Sequence, residues 1–334
     1  MATSTTLPDL GDIQHALRRI EKQVLRTPVE RSRELDRQLG CELWLKCEHL
    51  QPTGAFKLRG ASNAIACLEE RGVAGDVATH SSGNHGAALA WAARAAGRRA
   101  HVVMPENAVP AKIEAVRRFG GEVILCPPGQ APREAGLADL VSQGCIPVPP
   151  YDHPDIIAGQ GTAALELLET APGLDVLVTP LGGGGLLAGC AIAAQGIKPG
   201  IEIIGAEPAG AADTAASLER GARVTAWNPE TIADGLRALV GVSNFAVIEE
   251  RVRDVLLADD DAIIAAMRLA LETAGLRLEP SAAVALAVIR EHPEEFEGRR
   301  VGVVLTGGNI DFEHFPWLAP HAEEVAEHEP TAQT

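Results

Sequence analysis

The chain has 334 residues, with 29 Lys and Arg against 45 Asp and Glu, a formal net charge of −16 and only 3% aromatic residues. A chain this acidic and this poor in stacking side chains does not suit sequence-independent nucleic-acid binding, and an anionic membrane surface would repel it. Its 46% hydrophobic and 22% charged content is that of a folded protein, long enough for one large α/β unit or two smaller domains around a sizeable core.

The amino-terminal MATSTTLPDLGDI has neither the basic start nor the apolar run of a signal peptide. No run of about 18 apolar residues is present to predict a membrane span. The cysteines Cys41, Cys47, Cys67, Cys126, Cys145 and Cys190 are scattered without a C-x-x-C pair, so reduced buried thiols are expected rather than a disulfide framework or a zinc site. The expected compartment is the cytoplasm, and the expected partner is a small molecule rather than nucleic acid or membrane.

From residue 77 onward the chain alternates strand-like and helix-like stretches. Residues 77–81 are short and apolar, and NHGAALAWAARAAG (84–97) has helical composition with a glycine stop. Residues 100–104 read as a strand, 111–119 as a helix closed by Gly120 and Gly121, and 122–126 as the next strand. Residues 126–150, rich in Pro and Gly, mark a boundary between two lobes. DVLVTPL (175–181) is a buried strand, followed by glycines and the helix-like LLAGCAIAAQ; 202–206 and 301–305 are further strands. The tail after Pro320 is acidic and expected to fray. Strands separated by helix-length stretches predict βαβ units in parallel sheets, whose ligands sit at the carboxyl ends of strands.

Four motifs lie at such positions. Gly182, Gly183, Gly184 and Gly185 follow a strand and open a helix, so bare backbone N–H groups and the helix dipole offer a phosphate site. Gly183, Gly185 and Ala188 also fit G-x-G-x-x-A, with Glu207 where a ribose-binding acid would sit, which supports a Rossmann-type NAD oxidoreductase as an alternative. In QPTGAFKLRGASNAI (51–65), Lys57 lies against apolar neighbours before an alanine-rich helix; a lysine so placed loses its charge readily and suits a Schiff base with a carbonyl group. THSSGNHG (79–86) crowds Ser81, Ser82, Asn84 and His85 into a loop at a helix start, where hydroxyls, an amide and N–H groups suit a carboxylate or a ring oxygen. LTGGN (305–309) ends a strand in the hydroxyl of Thr306 and two glycines.

Taken in this order, with IAGQGTAALE (157–166), AEP (206–208), ETIADG (230–235) and LEPSAA (278–283), these motifs resemble the fold type II pyridoxal-phosphate enzymes, most nearly the serine racemase and serine/threonine dehydratase branch. The resemblance runs from about Thr27 to Asp311. It implies an α/β fold of two lobes with open parallel sheets and flanking helices, tryptophan synthase beta-like. A large cofactor-binding domain would be built from 1–74 and 154–334, with a small inserted domain at 75–153.

The implied cofactor is pyridoxal 5′-phosphate, held as a Schiff base by Lys57 with Phe56 beside its ring. Its phosphate would rest on Gly182, Gly183, Gly184 and Gly185, its 3′ oxygen on Asn84, and its pyridine nitrogen on Thr306. A hydroxyl at that nitrogen cannot keep it protonated, which disfavours a long-lived carbanion and suits loss of a β-substituent. Ser81, Ser82, Asn84 and His85 would hold the substrate carboxylate, and Arg133 matches an arginine near the substrate pocket that could pair with a second carboxylate. Ser82 also matches the acid/base that racemases use opposite the lysine. Glu207, Ala211 and Asp213 match a divalent-cation site whose oxygen ligands suit Mg²⁺ or Ca²⁺.

The resemblance therefore implies an ammonia-lyase of the serine/threonine dehydratase type, expected as a homodimer, acting on L-serine, L-threonine or 3-hydroxyaspartate, with serine racemase as the near alternative. A catalytically silent ligand sensor is the remaining alternative of another class. Pro52 stands where the animal racemases' nucleotide site has a lysine and Arg33 where it has a serine, so ATP activation is not expected. Ala238 replaces a pocket serine, and Ala55 the usual serine before Phe-Lys.

Overall fold

Ten strands fall into two separate sheets in the computed structural model, which describes residues 6–310, 315 and 317. They are β1 (Val29–Glu30), β2 (Glu42–Lys46), β3 (Val77–His80), β4 (Ala100–Pro105), β5 (Glu122–Cys126), β6 (Ile146–Pro147), β7 (Val176–Pro180), β8 (Glu202–Pro208), β9 (Asp254–Ala258) and β10 (Arg300–Val304). The larger sheet has the order β1-β2-β10-β7-β8-β9, parallel except for the β1–β2 pair. The smaller, β5-β4-β3-β6, is parallel throughout and draws every strand from 77–147. Asp311 and the acidic tail lie outside the described residues.

Helices cover both faces of the larger sheet, so its inner strands are buried on both sides and read as continuous apolar runs. Val176, Leu177 and Val178 of β7, and Val301, Val303 and Val304 of β10, are fully buried. The expected boundaries shift by one or two residues: β4 and β8 run on to Pro105 and Pro208, and the helix after β4 is Pro110–Arg118, started by a proline that needs no N–H partner there. β2 and β9, which the sequence pattern did not reveal, extend the larger sheet. All six cysteines are free thiols, buried except for the half-buried Cys145. Among the described residues no helix is long and apolar enough to cross a membrane.

One helix, Pro154–Thr170, sets the spacing of the two segments on which the site depends. It lies between the helix Lys57–Glu70 and the helix Gly185–Ile197. A Cβ on Gly159 would stand 2.6 Å from Gly60 Cα, and one on Gly161 2.6 Å from the carbonyl oxygen of Gly189. A Cβ on Gly189 would stand 2.3 Å from the carbonyl oxygen of Ile157. The glycines of IAGQG are thus contact points between backbones.

Beside this crossing lies a fully buried ion network. Arg59 bonds both oxygens of Glu48 (2.7 and 2.8 Å) and both of Glu166 (2.9 and 2.8 Å), and Lys46 donates to Glu166 and to the carbonyl of Thr27, each at 2.6 Å. Two cations meet two carboxylates, so the cluster is neutral, as burial demands.

Candidate functional site

The site forms where the loops after β3, β7 and β10 meet the first turn of the helix that Lys57 begins. That turn is stitched to LTGGN: Ala55 and Gly307 form an antiparallel bridge, and the Phe56 N–H donates to the Thr306 carbonyl at 2.9 Å. Lys57 therefore lies beside Thr306 although 249 positions separate them in the chain. The Lys57 Nζ donates to the Pro150 carbonyl at 2.8 Å and stands 5.1 Å from the Phe56 ring centroid. Burial of the amine pushes it down to about 8, from an ordinary 10.5. Phe56 is half-buried and packs against the core of the larger sheet.

The glycine run follows β7, and Gly185 opens its helix. Gly184 has φ +89°, a left-handed conformation that a side chain would strain. A Cβ on Gly183 would fall 2.4 Å from the Tyr151 ring, and one on Gly182 2.8 Å from Leu236 Cα. The Gly183 carbonyl is turned away by Asn244 Nδ2 (2.6 Å) and the Gly241 N–H (3.1 Å).

The loop after β3 divides its labour. The Ser81 hydroxyl accepts from the N–H groups of Gly83 and Gly86, both at 3.1 Å, and so shapes the turn. Ser82 is half-buried and its hydroxyl has no partner among the described residues. The N-cap residue Gly83 offers the helix Asn84–Ala95 no side chain, and of the first-turn N–H groups Ser81 takes only that of Gly86, which leaves those of Asn84 and His85 for an anion. His85 is buried with Nε2 on the Val148 carbonyl at 3.1 Å, and burial together with the Lys57 charge pushes it down to about 3. Its imidazole is therefore neutral and turned to the chain, and does not offer a carboxylate a cation.

Asn84 lies at the centre of a chain of directed bonds. Asn309 Nδ2 donates to the Thr53 carbonyl (2.9 Å) and to Asn84 Oδ1 (2.8 Å), while Asn84 Nδ2 donates to Glu279 Oε1 (2.6 Å). A carbonyl at one end and a carboxylate at the other fix the polarity of the chain, and one N–H of Asn84 is left over. Glu279, Lys112, Asn309 and Tyr151 were not among the expected site residues. Their signal in the sequence was slight: Glu279 precedes Pro280 at a helix start within LEPSAA, and Lys112 sits on an otherwise ordinary helix.

Among the described residues, two expected groups make no hydrogen bond to those of this centre. Arg133, on the helix Gln130–Ser142, is half-buried and held locally by the Gly129 carbonyl (3.0 Å) and Gln130 Oε1 (2.7 Å). Glu207 ends β8 fully buried, accepting the N–H groups of Thr214 (3.1 Å) and Ala215 (3.0 Å), and Asp213 accepts that of Val240 at 2.9 Å. So placed, Glu207 cannot serve as a ribose-binding acid, which removes the basis of the dinucleotide reading. Burial, with the neighbouring Asp213, pushes Glu207 up to about 8, and burial raises Asp213 as well. Ala211 lies between them in the turn Ala209–Ala211. Among the described residues no cluster of three or more His, Cys, Asp or Glu side chains is placed to hold a metal.

Known proteins resemble the chain over most of its length. The family model described as pyridoxal-phosphate dependent enzyme matches residues 20–307. The chain is 43% identical to a serine racemase of Dictyostelium discoideum over 93% of its own length and 96% of that protein's. It is 41% identical to the beta-hydroxyaspartate dehydratase of Paracoccus denitrificans, over 93% and 99% of the two chains. Its fold matches the structure of maize serine racemase with a TM-score of 0.88 and 40% identity, covering 92% of this chain and 95% of that one.

Proposed function

The chain belongs to the pyridoxal-phosphate dependent enzymes, and we propose that within them it is an ammonia-lyase that converts a β-hydroxy amino acid to a 2-oxo acid and ammonia. The observation that carries this reading is the placement of Lys57: a buried amine, lowered to about 8, beside Thr306 and near a helix start whose N-cap is a glycine. The residues present fit the cofactor. The glycine run offers N–H groups with no side chains of its own in the way, the spare N–H of Asn84 suits an anionic ring oxygen, and Thr306 supplies a neutral hydroxyl rather than a carboxylate. When bound, the cofactor supplies an electron sink for the bond electrons of Cα.

Lys57 would hold the cofactor and then, once released, take the Cα proton as general base. The electron pair left at Cα would form the new bond to Cβ as the Cβ–O bond breaks, the hydroxyl taking up the proton that Lys57 removed from Cα and leaving as water. The released enamine then tautomerises to an imine, which a water hydrolyses to the 2-oxo acid and ammonia. The N–H groups of the 79–86 loop bind the α-carboxylate, with Ser81 shaping the turn and His85 anchoring it to Val148. Closure of 75–153 upon the rest of the chain would exclude water.

The substrate is read as L-serine, L-threonine or 3-hydroxyaspartate, the last supported by the dehydratase relative and by a half-buried arginine, Arg133, that suits a second carboxylate. Racemisation of serine is a second reading, favoured by the free hydroxyl of Ser82 as an acid/base opposite Lys57. A divalent cation, Mg²⁺ or Ca²⁺, on Glu207, Asp213 and the carbonyl of Ala211 belongs to the same reading, because two neighbouring buried carboxylates are costly without a cation. A cytoplasmic homodimer completes it, checked by molar mass in solution.

A panel of L-serine, D-serine, L-threonine and the 3-hydroxyaspartate isomers, followed for 2-oxo acid and for chirality, tests the assignment. A 2-oxo acid formed with bound pyridoxal phosphate, and lost in Lys57→Ala, is the expected result. A protein that takes up the cofactor but turns over none of the panel would refute it and leave the silent sensor.

A further inference from the structure

Lys112 lies on the helix Pro110–Arg118, beside the smaller sheet, yet its ammonium reaches residues packed on the larger one. Its stem crosses the loop after β3 so closely that a Cβ on Gly83 would stand 2.5 Å from Lys112 Cδ. The ammonium pairs with Asp234 in the turn Asp234–Leu236 and lies 3.6 Å from Glu279 Oε2. Lys112 is 8% exposed and Glu279 2%, so this is a buried charge cluster rather than a surface pair.

Glu279 is the acceptor at the end of the chain of bonds that starts at Thr53. As a carboxylate it can only accept, so the Asn84 amide must point Nδ2 towards it, and Oδ1 towards Asn309. A protonated Glu279 would bring a donor to the same place and remove the reason for that orientation. Two carboxylates, Asp234 and Glu279, face one cation, and burial already favours the neutral form of Glu279. The charge of Lys112 is what opposes it.

We propose that Lys112 is a positioning residue: its ammonium, reaching from the smaller sheet's side of the site, holds Glu279 as a carboxylate so that Asn84 presents its remaining N–H to the cofactor's ring oxygen. The inference rests on the cofactor assignment above. The groups facing Glu279 are Lys112 from its helix, Asp234 from its turn and Asn84 from the loop after β3.

The test compares Lys112→Met, Lys112→Arg and Asp234→Asn with the parent in spectroscopic titrations with pyridoxal phosphate. Lys112→Met is expected to raise the dissociation constant at least tenfold and to move the pH midpoint of the bound cofactor's visible band by at least half a unit. Lys112→Arg restores both, and Asp234→Asn, which leaves Lys112 to Glu279 alone, does not raise the constant. Melting of the cofactor-free proteins gives a readout without cofactor. A carboxyl raised by burial contributes stability at low pH that is lost as pH rises through its folded value, so Lys112→Met should lose more melting temperature than the parent as pH rises above the ordinary carboxylate range.

A folded Lys112→Met protein with the parent's dissociation constant and midpoint overturns the proposal, as does an Asp234→Asn protein weakened to the same degree, which would mark a mere tether. If Lys112→Met does not fold, Asp234→Asn and Lys112→Arg decide it by the same two readouts. A parent that takes up no pyridoxal phosphate would instead refute the cofactor assignment on which the proposal stands.

Discussion

The Nζ of Lys57 lies 2.8 Å from the carbonyl oxygen of Pro150, so this amine is held by the segment that leads from the smaller sheet back to the larger. A carbonyl accepts from the charged and the neutral amine alike, so it orients Lys57 in both states. Burial is what brings the proton within reach of neutral pH.

Labelling of the cofactor-free protein with an amine-acylating reagent, quantified by peptide mass, should therefore show Lys57 becoming reactive with a midpoint near pH 8. An ordinary exposed lysine titrates about two units higher. A midpoint above 10 at Lys57 would contradict the account of its environment.

The close helix crossings are equally open to measurement. Gly189→Ala directs a methyl group at the backbone oxygen of Ile157, which cannot swing aside, and should cost at least about 1–3 kcal/mol in denaturant unfolding. Gly200→Ala, where nothing lies within 4 Å, is the control and should be near neutral. Equal losses in the two variants would show that the crossing is not constrained as described.

Glu207 gives a pH dependence of definite sign. Its folded value of about 8 lies above the ordinary 4.5, so its contribution to stability is fully present below 4.5 and is lost as pH rises through about 8. Without added cation the melting temperature should fall across that window, and Glu207→Gln should flatten the fall. Added Mg²⁺ or Ca²⁺ should restore stability at pH 8 in the parent but not in the variant. A melting temperature indifferent to both cations at pH 8 would argue against Glu207 and Asp213 as ligands.

Removal of one member of the buried ion network should be severe. Arg59→Met leaves Glu48 and Glu166 facing Lys46 alone, and should cost about 3–5 kcal/mol in chemical unfolding, far more than a surface pair is worth. A loss below about 1 kcal/mol would mean that the network relaxes or takes up a proton without penalty.

The sequence made the local features of this protein visible. The strands β3, β4, β5 and β7 stood out as short apolar runs punctuated by glycine, and Lys57 and the glycine run were recognisable because their neighbours restrict what they can do. β2 and β9, ELWLK and DVLLA, are as long as β5 but lack its setting, a glycine pair before it and a proline pair after it, and so escaped notice. The partners of Asn84 escaped for another reason: Glu279 lies 195 residues away and Asn309 225, and no local pattern encodes such a pairing. His85 was visible as a residue but not in its protonation state, which depends on burial. IAGQG marked the chain's likeness to a family, while its physical task, keeping three helices in backbone contact, needed three dimensions.

Tyr151 is the chain's single tyrosine, and its ring lies against Gly183 in the glycine run. The chain thereby carries its one phenol at this loop. A protein grown on 3-fluorotyrosine would carry one fluorine nucleus, free of overlap, whose resonance follows the occupancy of that loop during turnover.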